Sequence, residues 1–174
     1  NGEGGSGSFT WQQRSVESTL SIRGPLGAGA MQVTTDGDSL SVTGAEGRRL
    51  DTEQAGALLR RRLGTDLPLA DLRYWMLGVP SPASPSSVAD AAVVPVRVIE
   101  QSGWRIGYET FTVAGGVLLP QRFTATQGAV RLKMVVDDWQ LSWGGAPTAI
   151  TCCRQRSSSS ISATGFVSGG DPPG

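Results

Sequence analysis

Apolar and polar residues alternate in short runs between residues 9 and 136, and glycines separate these runs. Successive side chains of a strand point to opposite faces, so this period of two is typical of strands that are buried on one face only. The first runs carry paired apolar residues, namely Phe9 and Trp11, Leu20 and Ile22, Met31 and Val33, and Leu40 and Val42. The pattern predicts a meander of antiparallel strands joined by tight turns.

The period changes between residues 51 and 80, where apolar residues recur every three or four positions. This spacing predicts two short helices. Asp51 is a suitable N-cap for the first helix, which ends at Gly64, and Pro68 begins a second helix, which ends at Gly78. We expect the second helix to bury Leu69, Leu72, Trp75 and Met76. Residues 80–92 are rich in proline and serine and are predicted to form an exposed loop.

Strand patterns return over residues 93–100, 104–113, 119–126 and 130–136. The helices are therefore an insertion between two groups of strands, which is an α+β arrangement. A curved antiparallel sheet of at least eight strands has a concave face that two helices can cover. Concave apolar faces bind apolar ligands, so the predicted fold favours a binding function.

The composition excludes several functions. Fifteen basic and fifteen acidic residues cancel, so we expect no nucleic-acid partner, because such proteins need a positive field. The chain has no histidine, which removes the commonest acid/base catalyst and metal ligand. Its apolar runs are far shorter than the roughly 18 residues of a membrane-spanning helix. The adjacent Cys152 and Cys153 do not indicate a disulfide framework.

The last 33 residues have a different composition, with 7 Ser, 6 Gly and 3 Pro. Such a segment gains too little from burial to offset the entropy of ordering. We therefore predict a domain over residues 1–141 and a disordered tail over 142–174.

Three charged groups have a structural and a functional interpretation. The acidic pairs Asp36 with Asp38, and Asp137 with Asp138, are typical of a hairpin turn and a solvated edge, and lack the further oxygen ligands of a calcium loop. Arg60, Arg61 and Arg62 form either a solvated helix face or a docking site for an acidic partner or lipid headgroup. Glu100 or Glu109, with Asp137, would serve a carboxylate hydrolase, although no flanking motif supports this alternative.

The segment 23–29 joins two predicted strands and places Leu26 where a turn usually carries a polar residue. Either Leu26 folds back onto the core, or the loop Pro25, Leu26 and Gly27 touches a membrane.

Five aromatic residues either fill a core, which is the usual role of large aromatics in strands, or line a ligand cavity, namely Trp11, Trp75, Trp104, Phe111 and Trp139. A curved sheet with only two short helices can leave its concave face incompletely filled. The candidate cavity wall consists of Trp11, Ile22, Met31, Val33, Trp75, Met76, Trp104 and Phe111.

Several segments, taken together, resemble the LolB family of outer-membrane lipoprotein receptors of Gram-negative bacteria. The most specific is 72–80, and the others are 9–13, 24–27, 67–69, 131–134 and 138–139. Their order and spacing are similar to those of the family from residue 9 to residue 141. The related carrier LolA is similar in fold, but the loop around Leu26 and the helix over 72–80 resemble the receptor.

The resemblance implies an incomplete β-barrel with a short helical lid over an apolar cavity. The cavity would accept the acyl chains of lipoproteins delivered by the periplasmic carrier LolA, and Leu26 would help to place them in the inner leaflet of the outer membrane. It also implies no enzyme activity and no cofactor, and a monomer anchored by lipid at the periplasmic face of that membrane. The alternative is a soluble LolA-like carrier or another lipid-binding module, for which Leu26 would be dispensable.

The chain departs from the family pattern at both ends. It begins without the family's lipidated cysteine and most of its first strand, and we expect residues 1–8 to be the turn that follows that strand. The resemblance does not explain the tail after residue 141.

Overall fold

The computed structural model describes residues 6–14, 17–23, 30–36, 39–44, 47, 49–50, 53–54, 57, 68–142 and 160–170, and for 160–170 the backbone alone. Within these residues eleven strands and one continuous helix are present. The first five strands are β1 (Ser6–Arg14), β2 (Glu17–Arg23), β3 (Met31–Asp36), β4 (Ser39–Gly44) and β5 (Arg49–Leu50). The helix α1 (Leu69–Trp75) follows them. The remaining strands are β6 (Ser86–Asp90), β7 (Arg97–Gln101), β8 (Trp104–Ala114), β9 (Val117–Gln127), β10 (Val130–Ser142) and β11 (Ser160–Gly170).

All eleven strands belong to one sheet, in the order β5-β4-β3-β2-β1-β11-β10-β9-β8-β7-β6. Every neighbouring pair is antiparallel. The predictions of a mostly antiparallel sheet and of a helix inserted between two groups of strands are therefore confirmed. In the described part of the chain the sheet does not close on itself, because β5 and β6 each have a single neighbour.

Strand alternation places one continuous apolar core on one face of the sheet. In β1, for example, Phe9 and Trp11 are buried while the residues on either side of Phe9 are exposed. The largest fully buried side chains are Trp11, Trp75, Trp104, Tyr108 and Phe123. Because each large aromatic ring removes a large apolar area from water, these five rings supply much of the hydrophobic stabilisation of the fold.

The second predicted helix is confirmed as α1, with Pro68 as its N-cap. Leu72, Trp75 and Met76 are buried as expected. The chain leaves the helix through Gly78, whose φ of 75° lies in the left-handed region that glycine adopts without strain. Of the first predicted helix, Glu53, Gln54 and Ala57 are helical, whereas its expected ends at Asp51 and Gly64 lie outside the described residues. No helix in the described ranges has the length and apolar character needed to cross a bilayer.

The prediction of a loop over residues 80–92 is wrong for Ser86–Asp90, which form β6. All five side chains are exposed, so the segment has no alternation of apolar and polar residues. Its strand conformation comes from backbone pairing with β7, from Ser86↔Gln101 to Asp90↔Arg97. Edge strands with polar, charged side chains are common because they resist unwanted pairing.

Two predictions about the ends of the chain also need correction. Ser6 to Ser8 belong to β1 rather than to a turn. The tail was predicted to be disordered, but Ser160–Gly170 form β11 in the middle of the sheet. In this segment Ile161, Ala163 and Val167 fall on one face, but Phe166 falls on the face of Ser160, Ser162 and Ser168, so the strand period is imperfect and serine and glycine conceal it further.

Candidate functional site

Helix α1 lies against strands from both halves of the sheet. Its Leu72 lines a pocket with Val33 of β3, and its Trp75 donates a hydrogen bond to Gln101 of β7. Seven strand spacings separate β3 from β7, which is about 33 Å in a flat sheet. A helix of seven residues is only about 10 Å long. The sheet therefore curves around α1, and the helix occupies its concave side.

A pocket lies between α1 and strands β1, β2 and β3. Its walls are mostly apolar, and the empty space between them, open to solvent, is about 230 Å³. It is lined by Trp11, Ser18, Leu20, Val33, Thr35, Leu72 and Arg73. The inner part has room for about one water molecule. The arrangement is thus a small apolar pocket with one cationic side chain, Arg73.

The polar groups next to the pocket are paired with each other. The indole Nε1 of Trp11 donates a hydrogen bond of 2.9 Å to Ser18 Oγ. Thr35 Oγ1 donates to the Ser18 backbone oxygen at 3.4 Å. These bonds leave the apolar surfaces of Trp11, Leu20 and Val33 as the main surface presented to a ligand.

Gln101 fastens the C-terminal end of α1 and the segment after it to the sheet. Its Oε1 accepts hydrogen bonds from Trp75 Nε1 at 3.0 Å and from the Ser81 amide at 2.9 Å. Its Nε2 donates to the backbone oxygens of Ser81 at 2.7 Å and of Ser84 at 2.8 Å. The side chain is buried, and its four bonds fix this end of the helix in place.

Tyr108 adds a second attachment at the same place. Its hydroxyl donates a hydrogen bond of 2.8 Å to the Trp75 backbone oxygen. Burial raises the pKa of the Tyr108 phenol well above its usual value, and the positive charge of Arg97 offsets this only in part. The phenol therefore stays protonated and remains a donor at neutral pH.

Arg97 connects the edge strand β6 with Gly78, just after α1. It forms an ion pair with Asp90 at 2.7 Å, and its Nη1 donates to the Gly78 backbone oxygen at 3.2 Å. The hydrogen bond from Arg97 lowers the pKa of the Asp90 carboxyl. The pair links the edge strand β6 to the segment that follows α1.

The residues predicted to line a cavity fall into three groups. Trp11 and Val33 line the pocket described above. Trp75, Met76 and Trp104 pack in the core, and the rings of Trp75 and Trp104 are 6.2 Å apart. Ile22, Met31 and Phe111 are partly buried against the core. The structure thus buries five of the eight residues in the core, and two of these five line the pocket.

The remaining three do not line the pocket described above. Ile22 and Met31 face each other at the end of the β2–β3 pair. Phe111 lies on the β8–β9 hairpin, where its ring is 5.7 Å from that of Tyr108.

The predicted membrane loop (Pro25, Leu26 and Gly27) and the predicted docking residues (Arg60, Arg61 and Arg62) lie outside the described residues. The loop joins the end of β2 to the start of β3. A different apolar tip is visible at the opposite end of the sheet, on the β8–β9 hairpin. There Val113 and Leu118 are paired across the strands, with exposures of 68% and 62%.

The acidic residues of the hydrolase alternative occupy unrelated places. Glu100 forms an exposed ion pair of 2.6 Å with Arg105. Glu109 accepts a hydrogen bond from Thr124 at 3.3 Å. Asp137 is an exposed bulge residue of β10, where the pairing with β11 shifts between Val136 and Asp138. In the part of the chain that the structure describes, no three Asp, Glu, Cys or His residues form a group suited to a metal ion.

Sequence reasoning missed several residues of the site. Leu20 and Leu72 follow the apolar periods and were available as candidates, but no local pattern indicated that they meet. Gln101 and Arg73 have no signal in the sequence, because glutamine and arginine are mostly exposed in proteins. Their roles arise only when the sheet curves around α1.

The fold and its pocket define an antiparallel sheet protein that holds a short helix on its concave side. A family model described as "Outer membrane lipoprotein LolB" matches residues 1–139. An "Outer-membrane lipoprotein LolB" of Stutzerimonas stutzeri (strain A1501) is 33% identical over 138 residues, which cover 79% of this chain and 67% of the relative. The relative of the same name from Chromohalobacter salexigens is 33% identical, covering 78% of this chain and 63% of its own length. That from Azoarcus sp. (strain BH72) is 30% identical, covering 80% and 72%.

This chain belongs to the LolB family. The resemblance inferred from the segments around residues 9–13 and 72–80 is thereby confirmed. The chain spans about two thirds of the length of these relatives. The family match ends at residue 139, so β11 lies outside it.

Proposed function

We propose that this chain is an outer-membrane lipoprotein receptor that binds the acyl chains of lipoproteins on the concave side of its sheet. In this proposal the sheet is an incomplete β-barrel and α1 is part of its lid. The observation that carries the proposal is the apolar pocket between α1 and β1–β3, formed mainly by Trp11, Leu20, Val33 and Leu72. The relatives from Stutzerimonas stutzeri and Chromohalobacter salexigens are outer-membrane lipoproteins by name, which supports a role in lipoprotein localisation.

The free energy of exposing acyl chains explains why a receptor is needed. Each methylene costs about 0.8 kcal/mol in water, so a chain of about 16 carbons costs about 13 kcal/mol. A lipoprotein therefore passes from one apolar site to another, from the carrier LolA to this chain and then to the inner leaflet of the outer membrane. The transfer runs downhill in free energy, so we propose that it needs no nucleotide hydrolysis, no cofactor and no enzymatic step.

The pocket must widen to admit an acyl chain. The C-terminal end of α1 is held by the hydrogen bonds of Gln101 and Tyr108. In its N-terminal half Asp71 accepts a hydrogen bond of 3.1 Å from Ser102 Oγ. We expect this half of α1 to move away from the sheet with the loss of that one bond, because a ligand then separates Leu72 from Trp11 without breaking the attachment at Trp75.

The other parts of the proposal concern the surroundings of the site. Pro25, Leu26 and Gly27 would touch the membrane during delivery, and Arg60, Arg61 and Arg62 would contact an acidic surface of the carrier. The chain would act as a monomer at the periplasmic face of the outer membrane, held there by a lipid anchor in the full-length protein.

A two-step transfer assay tests the proposal. A purified complex of LolA with an acylated lipoprotein is mixed with this chain, and pull-down shows which protein holds the lipoprotein. Liposomes are then added, and flotation measures delivery. We expect transfer to this chain and then to the liposomes. Retention of the lipoprotein on the carrier, in the presence of a folded chain, would overturn the proposal.

Two variants separate acceptance from delivery. Leu26→Glu should leave acceptance unchanged and lower delivery about tenfold, because a charge at a membrane-touching tip opposes insertion. The matched control is Leu118→Glu, which puts the same charge on an exposed leucine at the opposite end of the sheet. Equal delivery by both variants would remove the proposed role of Leu26. Acceptance without any delivery by the parent chain would favour a soluble carrier instead.

A further inference from the structure

The last strand of the chain occupies the middle of the sheet. β11 pairs with β1 from Ser6↔Ser168 to Arg14↔Ser160. On its other side it pairs with β10 from Arg131↔Gly170 to Ser142↔Ser160. In the described sheet β1 and β10 have no direct pairing with each other. β11 therefore connects the half formed by β1–β5 with the half formed by β6–β10.

The register places small residues of β11 beside large buried residues of its neighbours. Ala163 lies opposite Trp11 of β1 and opposite Trp139 of β10. The rings of these two tryptophans meet edge to face at a centroid distance of 6.0 Å. Gly165 lies opposite the buried Phe9. Residues directly opposite each other share a face of the sheet. Two large side chains can meet across a central strand only when the residue between them is small. The alanine at position 163 of β11 meets this requirement.

β11 also ends beside the start of β1. Because Ser168 pairs with Ser6, the last residue of β11, Gly170, and the first residue of β1 lie at the same end of the sheet. Adjacent antiparallel strands need only a short connection at a shared end. No pairing in the sheet therefore depends on whether β11 follows β10 or precedes β1 along the chain.

We propose that β11 is an integral strand of the acyl-binding unit, and that the fold requires its position in the sheet but not its position along the chain. A chain in which β11 comes before β1 would then form the same sheet, and the two chains would be circular permutations of each other. Residues 160–170 lie outside the family match and pair with β1. Strand β1 carries Trp11, which lines the apolar pocket. The acyl-binding part of this inference rests on the proposed function.

A permuted chain tests the proposal with every residue retained. Gly174 is joined to Asn1, and the chain is opened between Ile150 and Thr151, so that β11 comes before β1. The new connection between Gly170 and Ser6 has nine residues, rich in glycine and proline, which suits a turn. We expect the near-ultraviolet circular dichroism of the buried tryptophans to match that of the parent, and the urea midpoints to agree. A permuted chain that does not fold would overturn the proposal.

A matched pair of substitutions in the parent chain independently tests whether the position between Trp11 and Trp139 requires a small residue. Ala163→Leu enlarges the residue between Trp11 and Trp139, and should lower the folding equilibrium constant about tenfold or more. Thr164→Leu is the control, because Thr164 lies opposite Thr10 and Asp138, which are both exposed. It should change the constant less than about twofold. Equal effects at both positions would contradict the proposed packing of β11.

Acyl binding is then measured on the parent and the permuted chain with a fluorescent fatty acid. Affinities that agree within a factor of two support the proposal. Binding by the parent alone, with both chains folded, would overturn it. If both chains fold alike and neither binds, the proposed function fails while the structural role of β11 stands.

Discussion

At the residue scale, Gln101 is the side chain that ties the end of α1 and the segment after it to β7. It is 3% exposed and makes four hydrogen bonds to Trp75, Ser81 and Ser84. Gln101→Leu keeps the approximate volume and leaves these buried groups without partners. Because each such group costs about 1–3 kcal/mol, we expect a loss of about 3 kcal/mol in the free energy of unfolding.

Urea denaturation of the two proteins measures this loss. The control is Gln140→Leu. Gln140 is exposed on β10, and its Nε2 donates a hydrogen bond to the nearby Asp138 at 3.1 Å. It should change the stability by less than about 0.5 kcal/mol. A similar loss in both variants would show that the Gln101 network does not hold α1 in place.

The sequence indicated which aromatic residues are buried but not what their polar atoms bind. Trp11, Trp75 and Trp104 follow the strand and helix periods, and all three are buried. A glutamine just before the turn at Ser102 has the pattern of an exposed strand end. Its partners are 17 to 26 residues away in the chain, so no local pattern contains them.

At the scale of elements, α1 ends in close contact with the β8–β9 hairpin. A Cβ atom added at Gly78 would lie 3.0 Å from Pro120 Cγ and 3.3 Å from Phe111 Cε1, and φ there is +75°. Gly78→Ala combines this overlap with an unfavourable backbone conformation. We expect it to lower the free energy of unfolding by about 2–3 kcal/mol.

Gly116→Ala isolates the backbone contribution. Gly116 has a φ of 81°, and nothing lies within 4 Å of an added Cβ. This variant should lose only about 1 kcal/mol. Thermal or urea denaturation compares the two variants. If they lost the same amount, the contact of Gly78 with the hairpin would contribute nothing to stability.

Most elements with a clear period were predicted well, although the strand predicted from residue 93 begins only at Arg97. The helix α1 and the strands β8 and β9 have strong patterns and long runs. β6 has five exposed residues and no pattern, so pairing with β7 alone makes it a strand. β11 has a period of two that Phe166 interrupts, and its small residues resemble those of a disordered segment.

At the scale of the whole molecule, the buried Tyr108 couples the stability of the fold to alkaline pH. Burial raises its pKa in the folded protein, while the unfolded chain titrates near the ordinary value of about 10. Its contribution is therefore fully present below pH 10 and is lost as the pH rises, because the unfolded state then releases a proton that the folded state keeps. The loss approaches about 1.4 kcal/mol per pH unit.

Tyr108→Phe tests this coupling. The variant lacks the hydrogen bond to the Trp75 backbone oxygen, so at pH 7 it should be less stable by about 1 kcal/mol. Above pH 10 its free energy of unfolding should fall less steeply than that of the parent chain. Urea denaturation between pH 7 and pH 11 gives both slopes, and parallel curves would contradict the assignment.

The alternation of apolar and polar residues determined by itself that this chain forms antiparallel strands around an inserted helix, and it selected most of the buried aromatics. These features depend on neighbours a few residues apart, which the sequence displays directly. Only the tertiary structure decided that the sheet curves around α1, that Gln101 and Tyr108 anchor that helix, and that β11 joins the two halves. Each of these depends on residues far apart in the chain, whose free energy of contact exists only once the strands are paired.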